Sequence, residues 1–259
     1  QQRGVVGLVI TLFTLSWALG GVFWNYRRAN KEAERARNAR SEAVEVADQI
    51  LFVIQDELIN ISGTSSVQHK LLKSSHRLLE RLLVGSPNDE QARYSMVVSH
   101  SHRGVLAFRQ GRLTEAEREL GMANESISIL LNSAPDNRYY HYSLSTILSE
   151  LGELAQARGQ LDRAQEFFQR DLKLVRKRQE IEPNNLEAQD KLYASYVRLG
   201  DLAQIRGELE DARHHFQLGY DFAKRRLQKD PTNLQILISA LCRLGDVALA
   251  SGDLDAAEK

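Results

Sequence analysis

Seven histidines, a single cysteine and two clusters of basic residues are the side chains here with the clearest capacity for chemistry. His100-Ser101-His102 sets two imidazoles about 200° apart around a helix, so the rings diverge. His214 and His215 are neighbours, about 100° apart, and converge no better. No His-Glu-x-x-His motif and no pair of cysteines accompanies them, so zinc-site spacing is missing. There is no glycine-rich phosphate cradle and no Gly-x-Ser-x-Gly elbow, and the serines and histidines lack the context of a triad. No catalytic residue, metal, cofactor or small-molecule substrate is therefore expected in this segment. Lone Cys242 excludes an intrachain disulfide and fits a reducing compartment. Asn124-Glu125-Ser126 matches a glycosylation acceptor only formally, in mid-helix.

The basic residues are arranged more regularly. Lys173, Arg176, Lys177 and Arg178 lie late in one predicted helix, and Lys224, Arg225, Arg226 and Lys229 late in another. Columns 176/224, 177/225 and 178/226 repeat at one step, so stacked units would turn them into a positive stripe. Cations near helix C-termini gain about 0.3–1 kcal/mol from the dipole without any partner, which is the competing explanation. An acidic protein segment or anionic lipid headgroups are the ligands such a stripe would take. Tyr94, Tyr142, Tyr193 and Tyr196 recur on another set of helices. Aromatic side chains there grip a partner or pack one unit on the next. With 34 residues of each charge sign, nothing pulls the chain as a whole toward nucleic acid.

What positions these residues is a repeat. Proline falls at 87, 135, 183 and 231, a step of 48. The same step links Gly104, Gly152 and Gly200; Gly111, Gly159 and Gly207; and Ala116, Ala164 and Ala212. A fixed period means stacked supersecondary units, none of which buries its apolar face alone. Each unit reads helix A, turn, helix B, turn. In the third, helix A is expected over about 185–206 and helix B over about 209–229. Proline suits a first helical turn, with Asn88, Asp136, Asn184 and Thr232 as candidate caps. Gly111, Gly159 and Gly207 supply the A-to-B turn. Gly104, Gly152 and Gly200 lie inside helix A at a cost of about 1 kcal/mol each, which predicts that helix B crosses closely there.

These residues resemble the tetratricopeptide repeat. Its order of Leu-Gly, small residue, aromatic and proline appears as Leu199-Gly200, Ala212, Phe216 and Pro231, and again as Leu151-Gly152, Ala164, Phe168 and Pro183. Gly104, Ala116, Leu120 and Pro135 form a looser copy, and Leu244-Gly245 with Ala257 begin a fourth. The units are longer than the usual length of about 34 residues, by nearly two helical turns on each side of the packed face. The resemblance implies a right-handed α-solenoid of antiparallel helix pairs and a protein-binding scaffold gripping its partner on the helix A face. The carboxylate clamp of one subset is not implied, because Val105, Glu153 and Asp201 stand where its Asn would be.

The first 86 residues carry a different pattern. Val5–Trp24 holds no charge, and with Gly4 the stretch spans about 31 Å, the thickness of a hydrocarbon core. Trp24 and Tyr26 then mark an interface, and Arg27 and Arg28 close the span. A secretory signal cleaved near Ala18-Leu19-Gly20 is the rival reading, with an apolar run long for one. The cations after the span, Arg27 to Arg40, place the repeats in the cytoplasm by the positive-inside rule. A charged helix follows, with an Ala29–Ile54 stripe interrupted by Arg40, either a spacer or a self-pairing seam. Its end is expected to dock on the repeats through Val53, Ile54, Leu58 and Ile61, before a leucine-rich capping helix.

The expectation is thus an all-α chain: span over 1–26, charged helix over 27–62, cap over 63–86, and repeats over 87–134, 135–182, 183–230 and an incomplete 231–259. The segment reads as part of a longer, single-pass membrane protein. Its layout is similar to bacterial signalling proteins in which a kinase or switch ATPase precedes such a span. The partner is a protein or peptide, a second copy, or the chain's own further domain. A regulatory tail of an enzyme and a structural membrane tether are the alternatives.

Overall fold

The computed structural model describes residues 2–54, 61, 65–229 and 234–253, with backbone only for residues 2–23, 65 and 229. The described residues form helices α1 (Gln2–Val53), α2 (Ser65–Gly85), α3 (Glu90–Arg109), α4 (Leu113–Ser133), α5 (Arg138–Ala157), α6 (Leu161–Ile181), α7 (Leu186–Arg206), α8 (Leu209–Lys229) and α9 (Leu234–Ser251), and no strand. Helices α3, α5, α7 and α9 are the A helices, and α4, α6 and α8 the B helices. Helices α5, α7 and α9 pack on the B helix before them, α3 packs on α2, and α3, α5 and α7 pack on the B helix after them.

The turns show why the period holds. Asp89, Asn137 and Asn185 donate backbone N–H groups to the carbonyls of Ser86 (3.2 Å), Ala134 (3.1 Å) and Glu182 (3.0 Å). Each bond closes a four-residue turn with Pro87, Pro135 or Pro183 in second place, where the fixed φ of proline is already correct. The proline therefore ends the preceding helix and does not begin the next. The caps fall one residue later than the sequence pattern predicts, on Asp89, Asn137 and Asn185, not Asn88, Asp136 and Asn184. Their side chains accept from Ala92 N, from Tyr139 N and Tyr140 N, and from Ala188 N. The expected cap Thr232, with Pro231, lies outside the described residues.

At the A-to-B turns Gly111, Gly159 and Gly207 take φ of 73°, 73° and 75°. The next residue's N–H reaches back to Ala107, Ala155 or Ala203 at 2.9 Å in each case. This left-handed cap closes helix A without strain only because glycine has no Cβ. Gly252 repeats it at φ 75°, with Asp253 bonded to Ala248 O.

The glycines inside helix A mark the predicted close approach. A Cβ on Gly152 would lie 2.3 Å from the Phe168 ring, and one on Gly200 2.3 Å from Phe216. On Gly104 it would meet Leu120 Cγ at 2.6 Å. Ala116, Ala164 and Ala212 are fully buried beneath these crossings. Gly245 has nothing within 4 Å.

The stretch expected to span a membrane and the charged helix expected after it lie in one unbroken helix, α1. The side chains of residues 4–23 lie outside the described residues. Docking of α1 on α2 and α3 uses Val44, Ala47, Leu51 and Ile54. Of the residues expected there, Ile54 is buried, Val53 is half-buried and Ile61 is exposed, while Leu58 lies outside the described residues. Arg40, the interruption in the alanine stripe, ties α1 to the last turn of α2 through Leu82 O and to the turn before α3 through Ser86 and Asp89 (3.0 Å). Among the described residues with side chains, α9 alone is apolar and long enough to cross a membrane by length and composition.

Candidate partner-binding groove

Successive A helices are laced by arginine. Arg198 on α7 reaches Glu153 on α5 at 2.8 Å, and Arg243 on α9 pairs with Asp201 on α7. Arg198 and Arg243 each stand just before a Leu-Gly pair, and Glu153 and Asp201 just after one. The same rung between α3 and α5 would join position 150 to position 105. Those residues are Glu150 and Val105, so no ion pair forms between them.

A groove opens where this rung is missing. It encloses about 220 Å³ between α3 and α5 and is lined by Tyr94, Val97, Val98, Ser101, His102, Val105, Arg109, Tyr142, Ser143, Thr146, Ile147 and Glu150. The Tyr94 and Ser143 hydroxyls hydrogen-bond at 2.9 Å across its upper end. Tyr142 is held between cations, with Lys191 Nζ 4.1 Å and Arg178 5.5 Å from its ring centre. Burial, with a hydrogen bond to Glu187, pushes its phenol up to about 12. Lys191 donates to Thr146 Oγ1 at 2.8 Å, and burial lowers its ammonium pKa. His102 has a buried Nδ1 without a hydrogen-bond partner, and burial alone holds the ring neutral, down to about 4. Glu150 is pushed up to about 7, by burial first and then by Glu153, against the pull of Arg198, Arg109 and Lys191. The wall is thus mostly aliphatic and aromatic, with one acid whose charge is poorly solvated.

The other expected tyrosines lie elsewhere. Tyr196 is buried between units, beneath the Arg176 guanidinium at 5.4 Å. Tyr193 packs over Gly219 of α8, where a Cβ would lie 3.5 Å from its ring, and its hydroxyl is buried without a hydrogen-bond partner. The structure brings Tyr94 and Tyr142 together in one groove and leaves Tyr193 and Tyr196 in the packing of the next unit.

The basic columns divide as well. Lys173, Arg176, Lys177, Lys224 and Arg225 are exposed on the B helices. Arg178 and Arg226 are not: Arg178 lies 3.7 Å from Glu182 and 3.6 Å from Glu187, and Arg226 pairs with Asp190. Arg178 therefore fastens α6 to α7 after it, and Arg226 fastens α8 back to α7 before it. The Lys229 side chain lies outside the described residues.

A profile of the tetratricopeptide repeat matches residues 97–121 and 145–170, the crossings of the first two units. Those two units carry tetratricopeptide repeats. The crystal structure of BtubC (BKLC) from P. vanneervenii is similar in fold, with a TM-score of 0.52 and 19% identity over 87% of this chain and 86% of that one. A structure of Pseudomonas aeruginosa pilF aligns at a TM-score of 0.42 and 16% identity, over 85% of this chain and 89% of that one. Comparison with curated proteins gave no match. Tetratricopeptide stacks are scaffolds for protein–protein contact, and the groove is where this one departs from its own repeat.

Two buried polar clusters inside this tetratricopeptide stack were not legible as such. Glu119 of α4 is 1% exposed and accepts from His100 Nδ1 at 2.7 Å, with Arg103 at 2.9 Å and Arg118 at 2.8 Å. Burial opposes its charge, but the His100 hydrogen bond and these arginines more than offset that and hold it below the usual carboxylate range. His76 of α2 meets the His100 ring edge-on at 4.8 Å and is held neutral, down to about 4, by burial and by Arg103. In the second unit Asp171 is 2% exposed and accepts from Ser145, from Ser149 at 3.2 Å and from Ser195 at 2.7 Å. The only signal for either cluster was an acid on the apolar face of helix B.

Proposed function

We propose that this chain is a membrane-anchored tetratricopeptide scaffold, the docking or sensing part of a signalling protein, which binds a protein or peptide through its A helices. Residues 4–24 cross the bilayer, α1 carries the stack away from it, and the repeats stand in the cytoplasm. Recognition centres on Tyr94 and Tyr142, with Tyr193 and Tyr196 supporting the neighbouring unit. The observation that carries this reading is the groove between α3 and α5, an aromatic-rimmed opening among A helices that are otherwise laced shut. Aromatic residues beside a desolvated polar group are the usual material of an interaction hot spot.

Exposed Cys242, the only cysteine, is a built-in probe of topology. In intact cells a membrane-impermeant maleimide should leave it unlabelled, and should label it once the membrane is opened. Labelling of intact cells would put the repeats outside and overturn the cytoplasmic placement. A photo-crosslinking residue at Tyr142 should capture a defined protein that the same residue at exposed Lys177 does not. Equal capture at both positions would remove the groove as the binding site.

A further inference from the structure

The chemistry of the partner follows from the missing rung, given that the groove is the binding site. Arginine joins an acid of the preceding A helix at α5–α7 and at α7–α9. Between α3 and α5 an acid is present, Glu150, but the residue across from it is Val105. Glu150 is half-buried in the groove wall and belongs to no rung. Burial is the largest influence on it and works against its charge.

We propose that the α3–α5 groove receives a single arginine side chain of the partner, whose guanidinium completes the missing rung on Glu150 while its methylene stem lies along Val105 and Tyr142. The groove matches that shape: an aliphatic wall for the stem and one carboxylate for the planar head. Arginine suits the site better than lysine because its weakly hydrated guanidinium loses less on leaving water. The charged groups facing Glu150 are Glu153 on its own helix, Arg109 from α3, and Lys191 and Arg198 from α7. Arg198 is committed to Glu153, and Lys191 to Thr146 and the Tyr142 ring. Arg109 lines the groove one turn beyond Val105. His102, from α3, stays neutral and contributes no repulsion.

The test uses the full chain in lipid nanodiscs and two fluorescein-labelled capped tripeptides, Leu-Arg-Leu and Leu-citrulline-Leu, followed by anisotropy. Citrulline keeps the shape of arginine and removes its charge. The arginine peptide should bind saturably and about tenfold more tightly than the citrulline peptide, the usual margin of a charge-assisted contact. That margin should shrink as the pH falls below about 7 and Glu150 takes up a proton. Glu150→Gln should abolish the margin at every pH. Val105→Arg, which supplies the rung within the chain, should weaken the arginine peptide about tenfold as well.

Equal binding of the two peptides, no saturable binding of the arginine peptide, or a margin that survives Glu150→Gln would each overturn the proposal. Crosslinked capture at Tyr142 of a partner that ignores peptide charge would overturn this inference alone and leave the scaffold reading standing.

Discussion

Two junctions built from the same repeat have been finished differently. Between α5 and α7 the stack is fastened by Arg198 on Glu153 and Lys191 on Thr146 at the face, and by Asp171 with Ser145, Ser149 and Ser195 inside. Between α3 and α5 the face rung is absent and a groove takes its place. Hydroxyl contacts, Tyr94 with Ser143 and Tyr140 with Glu90, join α3 to α5 there, and the buried acid of this unit, Glu119, pairs with His100 between α3 and α4. The repeat sets the packing, while an individual departure from it opens a groove on the A-helix face. The difference is testable by loosening the closed junction and by closing the open one.

The largest effect is expected at Asp171. Asp171→Ala removes the acceptor shared by three serines and leaves a small void between α5, α6 and α7. We expect a loss of about 2–3 kcal/mol in stability, read by denaturant melts, because buried donors without acceptors are costly. A change below about 0.5 kcal/mol would mean that the serines satisfy themselves on their own helices, as Ser195 already does in part with Lys191 O at 2.9 Å.

Next come the crossing glycines. Gly200→Ala drives a methyl into the rigid Phe216 ring and should cost about 1–3 kcal/mol. Gly104→Ala meets the flexible end of Leu120 and should cost less. Gly245→Ala has nothing within 4 Å and should stabilise α9 by up to about 1 kcal/mol through helix propensity. An equal cost at all three sites would show that the close approach is not what selects glycine.

The architecture was legible because the features that make it are local and periodic. Proline turns, left-handed glycines and buried alanines recur at 48 residues, and each acts within a few residues of its own position. The caps were misplaced by one residue because Pro87-Asn88-Asp89 contains two good capping side chains, and only the turn geometry decides between them. The groove was less legible. Tyr94 and Tyr142 were in view as a column, but Glu150 was hidden by its neighbours: a glutamate beside Leu151-Gly152 looks like any solvated helix residue. The rung pattern could have been read by aligning position 150 with 198 and 243, and position 105 with 153 and 201. Glu, Arg and Arg then stand against Val, Glu and Asp, and the exception lies in the first pair.

The pH profile separates the two kinds of buried group. Glu150 has a folded pKa raised from the usual carboxylate value to about 7, so the folded state binds the extra proton. Its penalty is absent below about 4.5 and complete above about 7. His76 and His102 are lowered from 6.5 to about 4, so their contribution is present above 6.5 and lost as the pH falls toward 4. Stability should therefore peak near pH 6. Glu150→Gln should flatten only the alkaline side and add about 1–2 kcal/mol at pH 8, after allowance for solvent screening. If the variant moves the acid limb instead, the histidines and Glu150 have been assigned to the wrong sides of the profile.

The smallest effects belong to the rungs themselves, and their signs matter more than their size. Arg198 and Glu153 keep 30% and 41% of their side chains exposed, so solvent screens the pair. Arg198→Ala should cost about 0.5–1 kcal/mol, less in high salt. Val105→Arg places the same chemistry opposite Glu150, where the acid is more deeply buried. It should be neutral or stabilising by a similar amount, and should bring Glu150 back toward an ordinary carboxylate pKa. A double variant carrying Arg198→Ala and Val105→Arg would then move the opening from one junction to the other without altering a core residue. If crosslinked capture stays at Tyr142 in that variant, the open rung is not what exposes the groove. If capture is lost there, the position of the gap in the ladder decides where this scaffold binds.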